Sequence, residues 1–339
     1  MRALFVGGTG LISSAVSDLA VRSGWELFLL NRGRRSAFVP AGATVLQADI
    51  DDLAAVRSIL KDHHFDVIVD FIIFEPKGIE RDIGLFRGKT DQYIFISTAA
   101  TYQRPPAHYV LDESTPQYNP GWDYARNKIA CEERLIREYR DSGFPMTIVR
   151  PSHTYGITSI PFAINSWTHP WTLADRIIKG KRVVVPGDGT SLWTLTHNSD
   201  FAKGLVGLFG NATALGHAFH ITSDEVKTWN QYLGSIGRAV GVEPRPVHIT
   251  SECISTFMPE QRAPLFGDTA NSYILDNGKI KSFVPDYSAT TPFEQGIRKS
   301  IGWFREDRRR QTVDEAINAR MDAMIEAYEG FLEKASARG

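Results

Sequence analysis

Short apolar runs alternate with amphipathic stretches through residues 1–150, and no other feature restricts the fold of this chain so much. Residues 3–6, 26–30, 44–46, 66–71, 93–96 and 146–149 are dense in Val, Ile, Leu and Phe and read as strands covered on both faces. Stretches such as 52–61 and 129–139 carry apolar residues at helical spacing. Strand–helix alternation builds βαβ units, so the expected class is α/β, a doubly wound parallel sheet with helices on both sides. After Gly156 the rhythm breaks, and residues 160–171, with their Pro and Trp, read as an irregular loop. Helices and short strands resume to about residue 303. Residues 312–335 put Ile317, Met321, Met324, Ile325 and Tyr328 on one face of a helix. Docking on the body of the protein is expected for that face; a contact in a homodimer is the alternative.

The 339 residues are 42% apolar and 23% charged, enough to bury a sizeable core. A formal net charge of -1 gives no reason to expect nucleic acid or an anionic membrane as a partner. Only Cys131 and Cys253 occur, far apart, so no disulfide framework is indicated and a reducing compartment fits. Residues 1–6 are too few for a secretory leader, and no run approaches membrane-spanning length. The expected location is the cytoplasm, and no metal site is expected.

The first strand ends in Gly7-Gly8-Thr9-Gly10-Leu11-Ile12-Ser13, with a helical pattern behind it. Glycine lets the backbone approach a pyrophosphate, and the helix N-terminus supplies free N–H groups and a positive dipole end. Alone the motif also describes a tight turn. At the first β–α turn of an alternating chain it marks Gly7, Thr9, Gly10, Leu11 and Ile12 as dinucleotide contacts. Ser13 stands where a third glycine is usual, and it is small enough to keep most of the helix–strand approach.

The second strand ends Leu30-Asn31-Arg32-Gly33-Arg34-Arg35. An acidic residue there would bond the adenosine ribose and repel a 2′-phosphate. None is present, so Asn31 and Arg32 with its arginine neighbours favour NADP over NAD; a solvated basic loop is the competing reading. Asp49 is placed to meet the adenine amino group, with Ile50 beside it, while Asp51 and Asp52 start the next helix. Phe71 and Ser97, at the ends of later strands, complete the expected cofactor cleft.

Tyr124 and Lys128 stand at i and i+4, on one helical face. A nearby ammonium favours the phenolate, so it is expected to lower the Tyr124 pKa. Lys128 is also suited to a cofactor ribose hydroxyl. As a bare spacing the pair is common on surface helices, but Ser97-Thr98-Ala99-Ala100-Thr101-Tyr102 follows the fifth strand directly, where such sheets place ligands.

These residues resemble the extended short-chain dehydrogenase/reductase family, the NAD-dependent epimerase/dehydratase group. The resemblance rests on Gly7-x-x-Gly10, Ser97-Thr98-x-x-x-Tyr102 and Tyr124-x-x-x-Lys128. It continues through Arg150-Pro151-x-x-x-Tyr155-Gly156, Gly187-Asp188-Gly189 and His197-x-x-Asp200-Phe201-Ala202. It implies a Rossmann domain over 1–155, rejoined by 194–225, and a smaller α/β substrate domain from 156–193 and 226–310, followed by a C-terminal helix over 311–339. It implies Tyr124 as acid/base, Lys128 as its partner and Thr98 as the substrate-orienting hydroxyl. Pro151 joins the cofactor contacts, and Ala99, Tyr102, His153, Trp193 and His197 the substrate contacts. The implied activity is hydride transfer between a nicotinamide and a sugar-like carbon, ending in epimerisation or in net oxidation.

Two positions depart from the family pattern. Nucleotide-sugar enzymes of the family usually carry an arginine soon after Gly-Asp-Gly, gripping the diphosphate; here Trp193 stands there. They usually carry Asn after Arg-Pro-x; here it is His153. An indole has one N–H and no charge, so it cannot replace a guanidinium fork. Trp193 is suited either to stacking on a free sugar or glycoside or to plain core packing. His153 is suited either to substrate contact or to a structural hydrogen bond. An ordinary nucleotide-sugar epimerase or dehydratase remains an alternative. So does a non-catalytic nucleotide- or RNA-binding protein of the family's atypical branch, which the neutral charge and the retained Tyr124 and Lys128 do not favour.

Overall fold

Seven strands form one parallel sheet in the computed structural model, which describes residues 1–337. The strands are β1 (Arg2–Val6), β2 (Glu26–Asn31), β3 (Thr44–Gln47), β4 (Val67–Asp70), β5 (Tyr93–Ile96), β6 (Met146–Pro151) and β7 (Ala218–Ile221). Their spatial order is β3-β2-β1-β4-β5-β6-β7, and every neighbouring pair is parallel. The direction of winding reverses between β1 and β4, which opens a crevice at the carboxyl ends of those strands.

The strands read as unbroken apolar runs because both faces are covered. Ala3, Phe5, Leu27 and Leu29 enter one core, while their neighbours Leu4, Val6, Phe28 and Leu30 enter the other. Burying each larger side chain is worth roughly 1.5–3 kcal/mol. Helix α1 (Ser13–Arg22) follows β1, and α2 (Leu53–Leu60) is capped by Asp52, whose carboxylate accepts from the Ala55 amide at 3.1 Å. Helix α3 (Pro76–Phe86) precedes β5. Helix α4 (Asp123–Ser142) turns Ala125, Lys128, Cys131, Glu132 and Leu135 inward and stops at Gly143, whose φ of 72° suits a left-handed cap.

A second lobe lies beyond β6. The helices Trp171–Ile178, Trp229–Val240 and Phe293–Glu306 surround a core containing Tyr155, Phe162, Trp193, Tyr232 and Tyr273. Arg182–Pro186 pairs in parallel with Arg245–Ile249. Residues 160–170 form no helix or strand, yet they are braced: Asn165 Nδ2 donates to the Ile160 and Pro170 carbonyls at 2.9 and 3.0 Å. The last helix, Glu315–Ser336, buries Met321, Met324 and Ile325 against Ile164, Val184, Ile254 and Leu265. Of the terminal segment expected over 311–339, residues 338 and 339 lie outside the described residues. No described helix is long and apolar enough to cross a membrane.

Candidate active site

The crevice between β1 and β4 widens into a cavity of about 460 Å³ whose wall includes Gly7, Gly10, Leu11 and Ile12. Gly7 has a φ of 82°, and a Cβ there would stand 2.3 Å from Ile72 Cγ2, so only glycine fits. Ser13 does more than stay small: its hydroxyl donates to the Gly7 carbonyl and accepts from the Gly10 amide, both at 2.7 Å. No side chain caps the start of α1, which leaves its N-terminus to an anion.

An adjoining cavity of about 500 Å³ is lined by Gly7, Thr9, Gly10, Asn31, Arg32, Asp49 and Ile50, with Arg34 and Arg35. Asn31 Nδ2 is buried there without a hydrogen-bond partner, although Asn31 Oδ1 accepts from the Gly33 amide at 2.8 Å. Arg32 stands 3.9 Å from Asp49, and both side chains are about half exposed. A glycine cradle, an uncapped helix start and an unpartnered amide suit a dinucleotide, with pyrophosphate over the loop and adenosine over Asn31 and Asp49.

Thr98, Ala99, Tyr124 and Lys128 reach the first cavity from β5 and α4. Burial pushes the Tyr124 phenol up to about 12, while a side-chain hydrogen bond with Thr98 acts to lower it. The expected lowering by Lys128 does not occur in this arrangement. Lys128 Nζ donates to the Ile73 and Ile96 carbonyls at 2.6 and 2.8 Å, and it lies 5.9 Å from the centre of the Tyr124 ring. Burial brings the Lys128 ammonium down to about 8.

Phe71, Ser97, Pro151 and His153 line the same cavity. The Ser97 hydroxyl is engaged by the buried Glu132 carboxylate, which also holds Arg150. His153 stacks on Trp167 with ring centres 5.3 Å apart, and burial lowers its pKa to about 4, so it is neutral near pH 7.

Three expected substrate contacts lie elsewhere. Trp193 is 1% exposed and packs against Tyr273 and Trp229, which resolves its two readings toward the core. Tyr102 is wholly buried, with its hydroxyl shared between His220 and Arg150. His197 is 5% exposed and caps the following helix by accepting from the Ser199 amide. Beside Tyr102, residues 97–100 of the same motif line the cavity, whereas the segments around Trp193 and His197 do not reach it.

The sequence reading missed Phe74, Trp122, Trp167, Asp268 and Tyr273, all on the cavity wall. Trp122 and Phe74 flank the Tyr124 ring at 5.0 and 6.3 Å between centres. Asp268 accepts from the Tyr273 hydroxyl at 2.8 Å and stands 3.5 Å from the buried Arg104. Burial raises its pKa, against the lowering by Arg104. Phe74 and Trp122 stand close to recognisable motifs, but Asp268 and Tyr273 carry no local signal.

The model of the NAD dependent epimerase/dehydratase family matches residues 3–81 and 83–221. A chloroplast stem-loop binding protein of 41 kDa from Arabidopsis thaliana is 26% identical over 261 residues, 72% of this chain and 65% of that protein. A UDP-glucose 4-epimerase from Azospirillum brasilense is 27% identical, over 59% of this chain and 66% of its own length. The matches thus span about two thirds of the length of these two relatives. A UDP-N-acetyl-alpha-D-glucosaminuronate decarboxylase from Bacillus cytotoxicus is 22% identical over 90% of this chain and 98% of its own. Among solved structures, an epimerase from Methanothermobacter thermautotrophicus superposes with a TM-score of 0.74 at 15% identity, covering 94% of both chains. The UDP-glucose 4-epimerase of Thermotoga maritima, with UDP-glucose, gives 0.70 at 19% identity, covering 90% of this chain and 99% of its own. These likenesses speak for the fold, and the family match decides the rest: the chain belongs to the NAD-dependent epimerase/dehydratase family.

Proposed function

We propose that this protein is an NAD(P)-dependent oxidoreductase or epimerase acting on a sugar-like substrate that carries no nucleotide diphosphate. The observation that supports it most is the meeting of Tyr124, Thr98 and Lys128 in one cavity with the glycine loop. Gly7, Gly10, Asn31, Arg32 and Asp49 would hold the dinucleotide, with Lys128 near its nicotinamide-side ribose. A bound nicotinamide supplies a hydride acceptor and donor. Thr98 orients the substrate oxygen by a hydrogen bond. Tyr124 takes the proton of that hydroxyl on oxidation and returns it on reduction. Lys128, held by the Ile73 and Ile96 carbonyls, is placed to bond the ribose and not to lower the phenol's pKa. Phe74, Trp122 and Tyr273 bring aromatic surface to the cavity around these polar groups.

The two departures support a substrate without a diphosphate tail. Trp193 packs as core where the family resemblance leads one to expect a phosphate-gripping arginine. His153 is held neutral by burial where an asparagine amide is expected. Losing a charge-assisted bond costs roughly 1.5–3 kcal/mol. The names of the relatives favour the second reading, a nucleotide-sugar enzyme. A thermal-shift and turnover screen of UDP-, GDP- and dTDP-sugars against free sugars, glycosides and polyols separates the two. Turnover of a nucleotide sugar, with none for the others, would restore the second reading. Saturable RNA binding without turnover of either group would instead support the non-catalytic alternative, to which the chloroplast relative's name points.

A further inference from the structure

A second chamber of about 280 Å³ shares Leu11, His153 and Trp167 with the catalytic cavity. Most of its wall comes from residues 158–170, including Ile160, Phe162 and Pro170, and Arg35 adds one charged side chain. The polar groups of that segment are largely turned to their own backbone and neighbours. Asn165 is spent on the Ile160 and Pro170 carbonyls and the Ser166 amide, and the Ser166 hydroxyl donates to Asp314 at 2.8 Å. The chamber is therefore preformed, and apolar side chains dominate what it offers an occupant.

We infer that this chamber takes an apolar, ring-sized substituent carried by the substrate, such as the aryl aglycone of a glycoside whose sugar lies against Tyr124. The inference rests on the function proposed above and names the substrate class for that site. Three features carry it. The chamber adjoins the catalytic cavity, with Leu11, His153 and Trp167 in the walls of both, which sets an occupant of one beside an occupant of the other. Cavities of about 150 Å³ lined by Leu, Ile and Phe take up benzene, so this one has room for one or two fused rings. The His153–Trp167 stack, with planes 13° apart, presents flat aromatic surface at the junction.

The test is a matched series of methyl, phenyl and naphthyl glucosides and galactosides, assayed for kcat and KM with NAD and NADP. Calorimetry of the phenyl glycosides runs alongside. The comparison protein is Thr158→Trp, which fills the chamber from a side chain with no hydrogen bond in this structure. Replacing methyl by phenyl should lower KM roughly tenfold to a hundredfold, the usual worth of burying an apolar group of that size. Thr158→Trp should erase the gain and leave methyl glycoside turnover unchanged. Equal KM values across the series, or equal loss for methyl and phenyl substrates in the variant, would overturn the inference. If no glycoside turns over, the functional proposal is decided by the free sugars and polyols of its own screen, and calorimetry still decides the chamber. Phenyl glycosides that bind the wild type and not Thr158→Trp support it; binding to both or to neither sinks it.

Discussion

Lys128 stands one helical turn after Tyr124, yet its ammonium is bonded to the Ile73 and Ile96 carbonyls and not to the phenol. The phenol's polar partner is Thr98, and burial holds its pKa up. Tyr124→Phe should lower kcat by about 10²–10⁴-fold, the range for losing a positioned acid/base, and leave cofactor affinity nearly intact. Steady-state kinetics and calorimetric cofactor titration check this. A kcat within about threefold of wild type would remove Tyr124 from its role.

His153 gives a pH prediction. Its pKa falls from the usual 6.5 to about 4 because burial disfavours the imidazolium. The folded state therefore binds fewer protons than the unfolded state between those values. Its contribution is complete above pH 6.5 and is lost as pH falls toward 4. The buried carboxyls Asp70 and Asp82, with pKa values raised by burial, act in the opposite sense, so a difference measurement is needed. Urea midpoints of wild type and His153→Gln should converge, or cross in favour of the variant, as pH drops through this window. A constant difference would mean that His153 titrates alike in the folded and unfolded protein.

Arg32 tests cofactor choice. If it and its neighbours hold a 2′-phosphate, calorimetry should show NADP binding more tightly than NAD. Arg32→Ala should shrink the gap by about tenfold, the scale of one charge-assisted bond. Asp49, 3.9 Å from Arg32, opposes the phosphate, so the wild-type margin is expected to be modest. Tighter binding of NAD by the wild type would reject the preference.

Trp193 separates packing from recognition. As a core residue its truncation to Ala should cost roughly 3–5 kcal/mol of stability in denaturant melts. Trp193→Phe should keep most of the stability and all of the substrate affinity. A Phe variant that melts like wild type and loses substrate binding would return Trp193 to the substrate site.

The sheet and its cofactor loop were legible because they are local. Two-faced strands announce themselves as apolar runs, and Gly7 to Ser13 form one turn from residues contiguous in sequence. Side-chain direction was less legible. Thr98 and Tyr102 belong to one motif, yet the first lines the cavity and the second feeds a buried network with Arg150 and His220. Asp268 and Tyr273 were invisible because only the packing of the second lobe brings them opposite Tyr124. β7 is short and carries His220, so it has little of the signal of the earlier strands.

β6 and β7 are neighbours in the sheet, but residues 152–217, with the second-lobe helix Trp171–Ile178 among them, lie between the two strands. On the ribosome, the first six strands emerge well before the seventh. Until residue 221 is free of the exit tunnel, β6 is an open edge with unpaired backbone groups, a template for pairing with another nascent chain. The β1–β4 side of the crevice is in that sense early, whereas its Asp268–Tyr273 wall and the protection of the sheet's edge are late.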